Sequence, residues 1–222
     1  MRQVKAFLIA FLVVQCFNFS GFAQQTPPFF NEIEAFKKQD AINPPPKNAI
    51  VFVGSSSFKG WTNVQSAFPG YTIINRGFGG SSLPDVIRYA PDIIITYQPK
   101  QVVIYVGEND FPADGVTAEI VYDRFTTLFE IIRKGLPKAH ILFISFKPSP
   151  SRMKYLPEMV KANAMIKNYL KNYRRTDYVD VYSKMLLADG TPMPDFFKAD
   201  KLHMTEAGYA IWQKEIKPFL KK

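Results

Sequence analysis

The stretch that most constrains the fold is Ala49-Ile50-Val51-Phe52-Val53, five apolar residues in a row that run straight into Gly54-Ser55-Ser56-Ser57. A strand with one face in water alternates apolar and polar side chains. A strand with no polar position is covered on both faces, as in the middle of a parallel sheet. The run therefore asks for helices above and below it, and the rest of the chain supplies them. Residues 71–75, 101–106, 141–145 and 178–181 read as four further strands. Between them, Pro84 opens a helix that continues over 85–90. Residues 117–134 carry Ile120, Val121, Phe125, Leu128, Phe129 and Ile132 at helical spacing. Residues 156–173 do the same with Met159, Ala162, Met165, Ile166 and Leu170. Thr205 is placed to cap a last helix that runs to about Leu220. Ahead of the first strand, residues 32–40 suit a short amphipathic helix with Ile33 and Phe36 on one side, and Asn43-Pro44-Pro45-Pro46 stops it. Strands alternating with helices over this length predict one doubly wound α/β domain, a five-stranded parallel sheet in a three-layer α/β/α arrangement.

Residues 1–23 stand apart. Arg2 and Lys5 precede an apolar run over 6–17, and Ser20-Gly21-Phe22-Ala23 places small residues before a signal-peptidase cut. The expected organisation is a signal peptide over 1–23, a lead-in over 24–47 and one domain over 48–222. Such a chain is exported, to a periplasm or out of the cell. A lipoprotein anchor at Cys16 is the competing reading, which Gln15 fits poorly because it is not small. The apolar run is short for a membrane span, and no other stretch qualifies, so the mature chain is expected to hold no integral membrane segment. Cys16 is the sole cysteine, which leaves the mature chain no disulfide and no thiolate metal site. The net charge of +9 falls to +7 once Arg2 and Lys5 leave with the signal. The bases are scattered. Their tightest cluster, Lys171-Asn172-Tyr173-Arg174-Arg175, sits where a helix ends and suits its dipole. A solvated basic surface, with no nucleic-acid partner, is the expectation.

In open α/β sheets, ligands bind beyond the carboxyl ends of the strands. The first strand ends at Gly54-Ser55-Ser56, the second at Gly79-Gly80, and the third at Gly107-Glu108-Asn109-Asp110. Near the C-terminus, Asp200-Lys201-Leu202-His203 offers a carboxylate and an imidazole three residues apart. An acyl-transfer site needs a base to take a proton from a hydroxyl and an anion to orient that base. Taken singly, each feature has a plainer reading. The Gly-Ser segment is a turn, the glycines supply backbone conformations, Asn109 is a turn residue, Asp200 is a surface acid and His203 caps a helix. Gathered at one sheet edge, they are the parts of a serine esterase. His140 falls at the amino end of the fourth strand, on the opposite edge, and reads as structural. Arg152 follows Pro148-Ser149-Pro150-Ser151 on the active edge; it either binds an anionic part of a substrate or pairs with an acid. Trp61 and Phe111 belong either to the substrate side or to the core.

These blocks resemble the SGNH (GDSL-type) hydrolase family, in the family's order. Val53-Gly54-Ser55-Ser56-Ser57 is similar to its nucleophile block. Asn75-Arg76-Gly77-Phe78-Gly79-Gly80 is similar to the oxyanion-glycine block, Gly107-Glu108-Asn109-Asp110 to the asparagine block, and Asp200-Lys201-Leu202-His203 to the acid–base block. The resemblance spans residues 48–216. It implies a flavodoxin-like SGNH hydrolase fold and a secreted serine esterase with no metal and no cofactor. By carry-over, Ser56 is the nucleophile, His203 the base and Asp200 its orienting acid. The backbone N–H groups of Ser56 and Gly80 and the Asn109 side-chain amide hold the oxyanion. The family's first block commonly reads Gly-Asp-Ser, and here Ser55 stands in place of the aspartate, which leaves Ser55 and Ser57 as rival nucleophiles. The family includes lysophospholipases, thioesterases, arylesterases and carbohydrate deacetylases. A small-molecule or glycan ester with a short acyl group is the expected substrate. The competing expectations are a lysophospholipase- or thioesterase-type acylhydrolase, a non-catalytic ligand-binding module on the same fold, and a nucleotide binder using the Gly79-Gly80 loop. That loop lacks the Lys-Ser/Thr ending of a P-loop. Nothing in the sequence fixes the oligomeric state.

Overall fold

Every residue from Ala49 to Val53 is fully buried, so the covering on both sides that this run demands is met. The computed structural model describes residues 26–222. The expected signal peptide, with Cys16 inside it, lies outside the described residues. In chain order the elements are α1 (Phe30–Ile42), β1 (Ile50–Gly54), α2 (Ser56–Lys59), α3 (Val64–Ala67), β2 (Ile73–Gly77) and α4 (Leu83–Ile93). They continue with β3 (Gln101–Tyr105), α5 (Ala118–Gly135), β4 (His140–Ile144), α6 (Leu156–Leu170), β5 (Thr176–Val179) and α7 (Glu206–Ile216). The strands form one parallel sheet in the order β2-β1-β3-β4-β5.

Successive strand residues point to opposite faces, and the core divides accordingly. Val51, Val53, Val102, Ile104, Ile141 and Phe143 pack with Val86, Phe125, Phe129 and Ile166, under α4, α5 and α6. Ile50, Phe52, Val103, Tyr105, Leu142 and Ile144 pack with Phe58, Trp61, Val64 and Trp212, under α2, α3 and α7. The doubly wound, three-layer expectation is met. Chain order reverses between β1 and β3, whose last residues pair as Gly54 with Tyr105. That reversal opens a crevice at their carboxyl ends.

The boundaries differ from the sequence reading where polar residues do structural work. β2 continues past Asn75 to Gly77 because Asn75 and Arg76 have partners in the fold. Asn75 Nδ2 donates to Phe58 O at 2.7 Å, and its Oδ1 accepts from Gly77 N at 2.9 Å. Arg76 is buried; it pairs with Asp40, donates to Tyr97 Oη at 2.6 Å and stacks on Phe36 and Tyr97. This anchor holds α1 against the domain, with Ile33 buried beneath it, so residues 30–42 are a packed helix that extends beyond 32–40 at both ends. β5 begins at Thr176, whose hydroxyl donates to Leu170 O and Tyr173 O at 2.8 Å each. Among the described residues no helix is long and apolar enough to cross a membrane.

Candidate active site

The turn after β1 places three serines at the crevice. Gly54 has φ 150°, and a Cβ there would lie 1.9 Å from the Tyr105 carbonyl oxygen. Only glycine permits that approach. It lets Ser55 N donate to Tyr105 O at 3.1 Å, which fixes the turn to the end of β3. Ser55 and Ser57 are 4% and 3% exposed, whereas Ser56 is partly open to solvent. The Ser57 carbonyl accepts from Tyr209 Oη at 2.9 Å, tying α2 to α7.

The next two blocks are stitched to this turn and to each other. Gly80 has φ 85° with open space around it, the nearest atom to an added Cβ being Phe29 Cζ at 4.0 Å. Backbone conformation therefore selects glycine there. Ser81 Oγ donates to Gly54 O at 3.3 Å, and Asn109 Nδ2 donates to Ser81 O at 3.1 Å. Asp110 caps α4, accepting from Leu83 N at 2.9 Å on one oxygen and from Arg124 at 2.7 Å on the other. Burial still pushes its carboxyl above the ordinary range. The backbone N–H groups of Ser56 and Gly80 donate to no acceptor among the described residues. With one N–H on Ser81 O, the Asn109 amide has a second to offer. Three donors thus stand unpaired around the same crevice.

Asp200 and His203 meet on one turn. Asp200 Oδ2 lies 2.6 Å from His203 Nδ1, while Oδ1 accepts from the backbone N–H groups of Leu202 and His203 at 2.9 Å each. The imidazole hydrogen bond first, then the two amides, hold the Asp200 carboxyl well below the usual carboxylate range. An anion on Nδ1 assigns the proton to that nitrogen and leaves Nε2 as the base. The turn is braced by Lys198 N on His203 O at 2.8 Å and by Ser151 N on Lys201 O at 2.9 Å. Ser56 and His203 form no direct hydrogen bond with each other; such contacts often tighten only when substrate binds.

Beneath this edge is a polar network that sequence reasoning missed. Glu108 and Lys147 are both buried and pair at 2.6 Å. Ser149 Oγ donates to the other Glu108 oxygen at 2.7 Å, and Tyr105 Oη donates to Glu108 as well. Burial raises the cost of the Glu108 charge, but Lys147 and the Tyr105 and Ser149 hydroxyls together outweigh it, and the carboxyl is held below its ordinary range. Burial, with the Glu108 charge beside it, pushes the Tyr105 phenol well up. The one local signal is a lysine three residues beyond an apolar strand. Its partner lies 39 residues away, so no spacing reveals the pair.

Arg152 reaches the site. Its Nη2 donates to Asn109 Oδ1 at 3.5 Å, and its backbone N donates to Ser149 O at 2.8 Å. It forms no ion pair among the described residues, and its Nε is buried with no hydrogen-bond partner. Trp61 and Phe111, each 2% exposed, belong to the core. His140 opens β4 at the amino end of the sheet, 3.9 Å from Asp177, and burial holds its pKa below the ordinary value. The largest of five described clefts, about 880 Å³, is lined by residues such as Asp40, Lys47 and Gln98, and none of the five is lined by Ser56, Asp200 or His203. Among the described residues no group of three His, Cys, Asp or Glu side chains is placed to hold a metal ion.

Residues 49–211 match the model of the GDSL-like lipase/acylhydrolase family, a span that includes Ser56, Gly80, Asn109, Asp200 and His203. Solved structures share the fold. A GDSL-like lipase from Bacteroides thetaiotaomicron superposes with TM-score 0.73 at 22% identity, over 84% of this chain and 95% of the other. A member of the lipolytic G-D-S-L family from Veillonella parvula gives 0.63 at 18% identity, over 76% and 95%. A catalytic mutant of an acetylxylan esterase from Geobacillus stearothermophilus gives 0.63 at 15% identity, over 79% and 94%. No curated protein matches the chain in sequence.

Proposed function

The chain belongs to the GDSL-like lipase/acylhydrolase family, and on that premise we propose that it hydrolyses carboxylic esters through an acyl-enzyme formed on Ser56. The observation that carries this reading is the 2.6 Å Asp200–His203 pair, whose turn is bonded to the Arg152 loop and through Arg152 to Asn109, on the sheet edge that also presents the one solvent-open serine of three. Ser56 Oγ attacks the ester carbonyl while His203 Nε2 takes its proton. The carbonyl electrons move to oxygen, and the N–H groups of Ser56 and Gly80 and the Asn109 amide hold that charge. Collapse breaks the bond to the alcohol, which leaves with the proton from His203. Water then repeats the sequence on the acyl-enzyme and frees the acid. Asp200 stabilises the imidazolium in both halves.

A short acyl group, acetyl above all, is the proposed acyl part, and the likeness to an acetylxylan esterase leans that way. Residues 1–23 are proposed to direct export, which brings a glycan ester within reach. The test is hydrolysis of 4-nitrophenyl acetate, butyrate and octanoate by the wild type and by Ser56→Ala. Acetate is expected to be the best of the three and Ser56→Ala inactive. Full activity in Ser56→Ala moves the nucleophile to Ser55 or Ser57. A folded protein inert toward all three and toward acetylated oligosaccharides is a binding module. Preference for octanoate supports the lysophospholipase-like alternative.

A further inference from the structure

We propose that the ester taken by this site carries an oxyanionic group, a carboxylate or a phosphate, on its alcohol part, and that Arg152 binds it. The inference rests on the esterase reading and specifies its substrate class. It begins from the charges at the active edge. Three acids there have cationic partners of their own: Glu108 has Lys147, Asp110 has Arg124 and Asp200 has His203. Arg152 has none among the described residues. A guanidinium offers five N–H donors. Of these, one reaches a protein acceptor, Asn109 Oδ1, at the long distance of 3.5 Å, and Nε is dehydrated without a partner. Removing water from a cation without supplying an anion is unfavourable. A ligand oxyanion on the terminal nitrogens supplies the missing counter-charge and matches the planar fork of the guanidinium.

The position suits a substrate group. A carbonyl oxygen held by Asn109 at ~3 Å sits on the order of 6 Å from the Arg152 guanidinium, a few bonds along the same molecule. The side is also set. The leaving alcohol must face His203 to receive its proton, and the Arg152 loop is bonded to the His203 turn through Ser151 N and Lys201 O at 2.9 Å. A second cation flanks the other oxyanion donor: Lys59 Nζ lies 3.8 Å from where a Cβ on Gly79 would stand. Lys59 is exposed and shares its cleft with the carboxylate of Glu32, so Arg152 is the principal contact.

The experiment compares 3-acetoxybenzoate with methyl 3-acetoxybenzoate, the same acetyl ester with and without the charge, and adds 3-acetoxyphenyl phosphate. The expected result is a kcat/KM higher by about tenfold or more for a charged ester, the size of one charge-assisted hydrogen bond. That ratio is expected to shrink with added salt and to fall to about one in Arg152→Gln, with Arg152→Lys between. Which of carboxylate and phosphate gains more identifies the group. Wild type that cleaves the methyl ester as fast as both anions overturns the proposal and leaves the esterase intact. A gain seen with 4-nitrophenyl hydrogen succinate but with neither alcohol-side anion overturns the alcohol-side assignment. If turnover is too slow to rank, calorimetry on Ser56→Ala decides. There the acid is expected to bind about tenfold tighter than its methyl ester, and Ser56→Ala/Arg152→Gln to bind both alike. Equal binding to Ser56→Ala sinks the idea. Undiminished cleavage by Ser56→Ala strikes the nucleophile assignment instead.

Discussion

Two acid–base pairs stand at the same end of this sheet with the same 2.6 Å separation and opposite surroundings. Glu108 and Lys147 have side chains 4% and 2% exposed, whereas Asp200 and His203 are 49% and 38% exposed. Distance alone would rank them equal. In the interior the charges attract strongly but have given up their water, so either partner left alone is costly. At the surface, water screens the pair and the net attraction is small. The buried pair is therefore fixed in charge and suited to hold the Asn109 block in place. The exposed pair can gain and lose a proton within a catalytic cycle without unsettling the fold. On the roles proposed for these residues, location thus separates scaffolding from chemistry.

The largest expected effect breaks the exposed pair. His203→Ala removes the proposed base and is expected to lower kcat/KM by about 10⁴–10⁶-fold. Because the ring is half in water, the urea midpoint should hardly move. A variant that unfolds would mean that His203 carries structure as well, and the contrast between the pairs would fail. Next comes the buried pair. Lys147→Met strands the Glu108 carboxylate and is expected to cost about 3–5 kcal/mol in chemical denaturation. Adding Glu108→Leu should return much of that loss, since two apolar side chains need no counter-charge. A single variant as stable as wild type would show that water reaches the pair.

The two pairs were also unequally legible in the sequence. Asp200 and His203 are three residues apart, and their contact follows from one turn. Glu108 and Lys147 come from the ends of β3 and β4, and only the sheet brings them together. The fold followed the same divide. The apolar run at 49–53 required cover on both sides, and its residues do alternate between the two cores. The ends of β2 and β5 differ from the sequence reading because Arg76 and Thr176 look like turn residues until their partners in other segments are known. Two helices, α2 and α3, are four residues each, too short for periodicity to register. Arg152 was placed on the right edge, but its want of an acid partner is a fact of three dimensions.

A smaller effect tests whether the buried pair serves the proposed oxyanion donor it adjoins. Asn109→Ala should lower kcat by about 10²–10³-fold, the usual loss for one such donor. The Lys147→Met/Glu108→Leu double variant, measured where it is folded, should lose part of the same factor in kcat with KM little changed. A double variant at full kcat would make the pair purely structural and sharpen the division between scaffold and chemistry.

The smallest expected effect is on stability at Asp200, and acid titration isolates it. Both carboxyls are held below their unfolded values, which lie near 4.5 for Glu108 and 3.8 for Asp200. Their stabilising contributions are thus complete above those values and are lost as pH falls through the lower folded ones. Glu108 should dominate that loss, because protonating it leaves Lys147 buried without a counter-ion. Asp200→Asn is expected to change stability at neutral pH by less than about 1 kcal/mol, as for other exposed pairs, while depressing kcat by disturbing the His203 tautomer. In unfolding free energy measured from pH 7 to pH 3, Asp200→Asn should follow the wild-type curve closely, and Glu108→Gln should lie well below it at neutral pH and converge on it in acid. If Asp200→Asn is the curve that converges, the exposed pair carries the stability, and the roles drawn from burial are reversed.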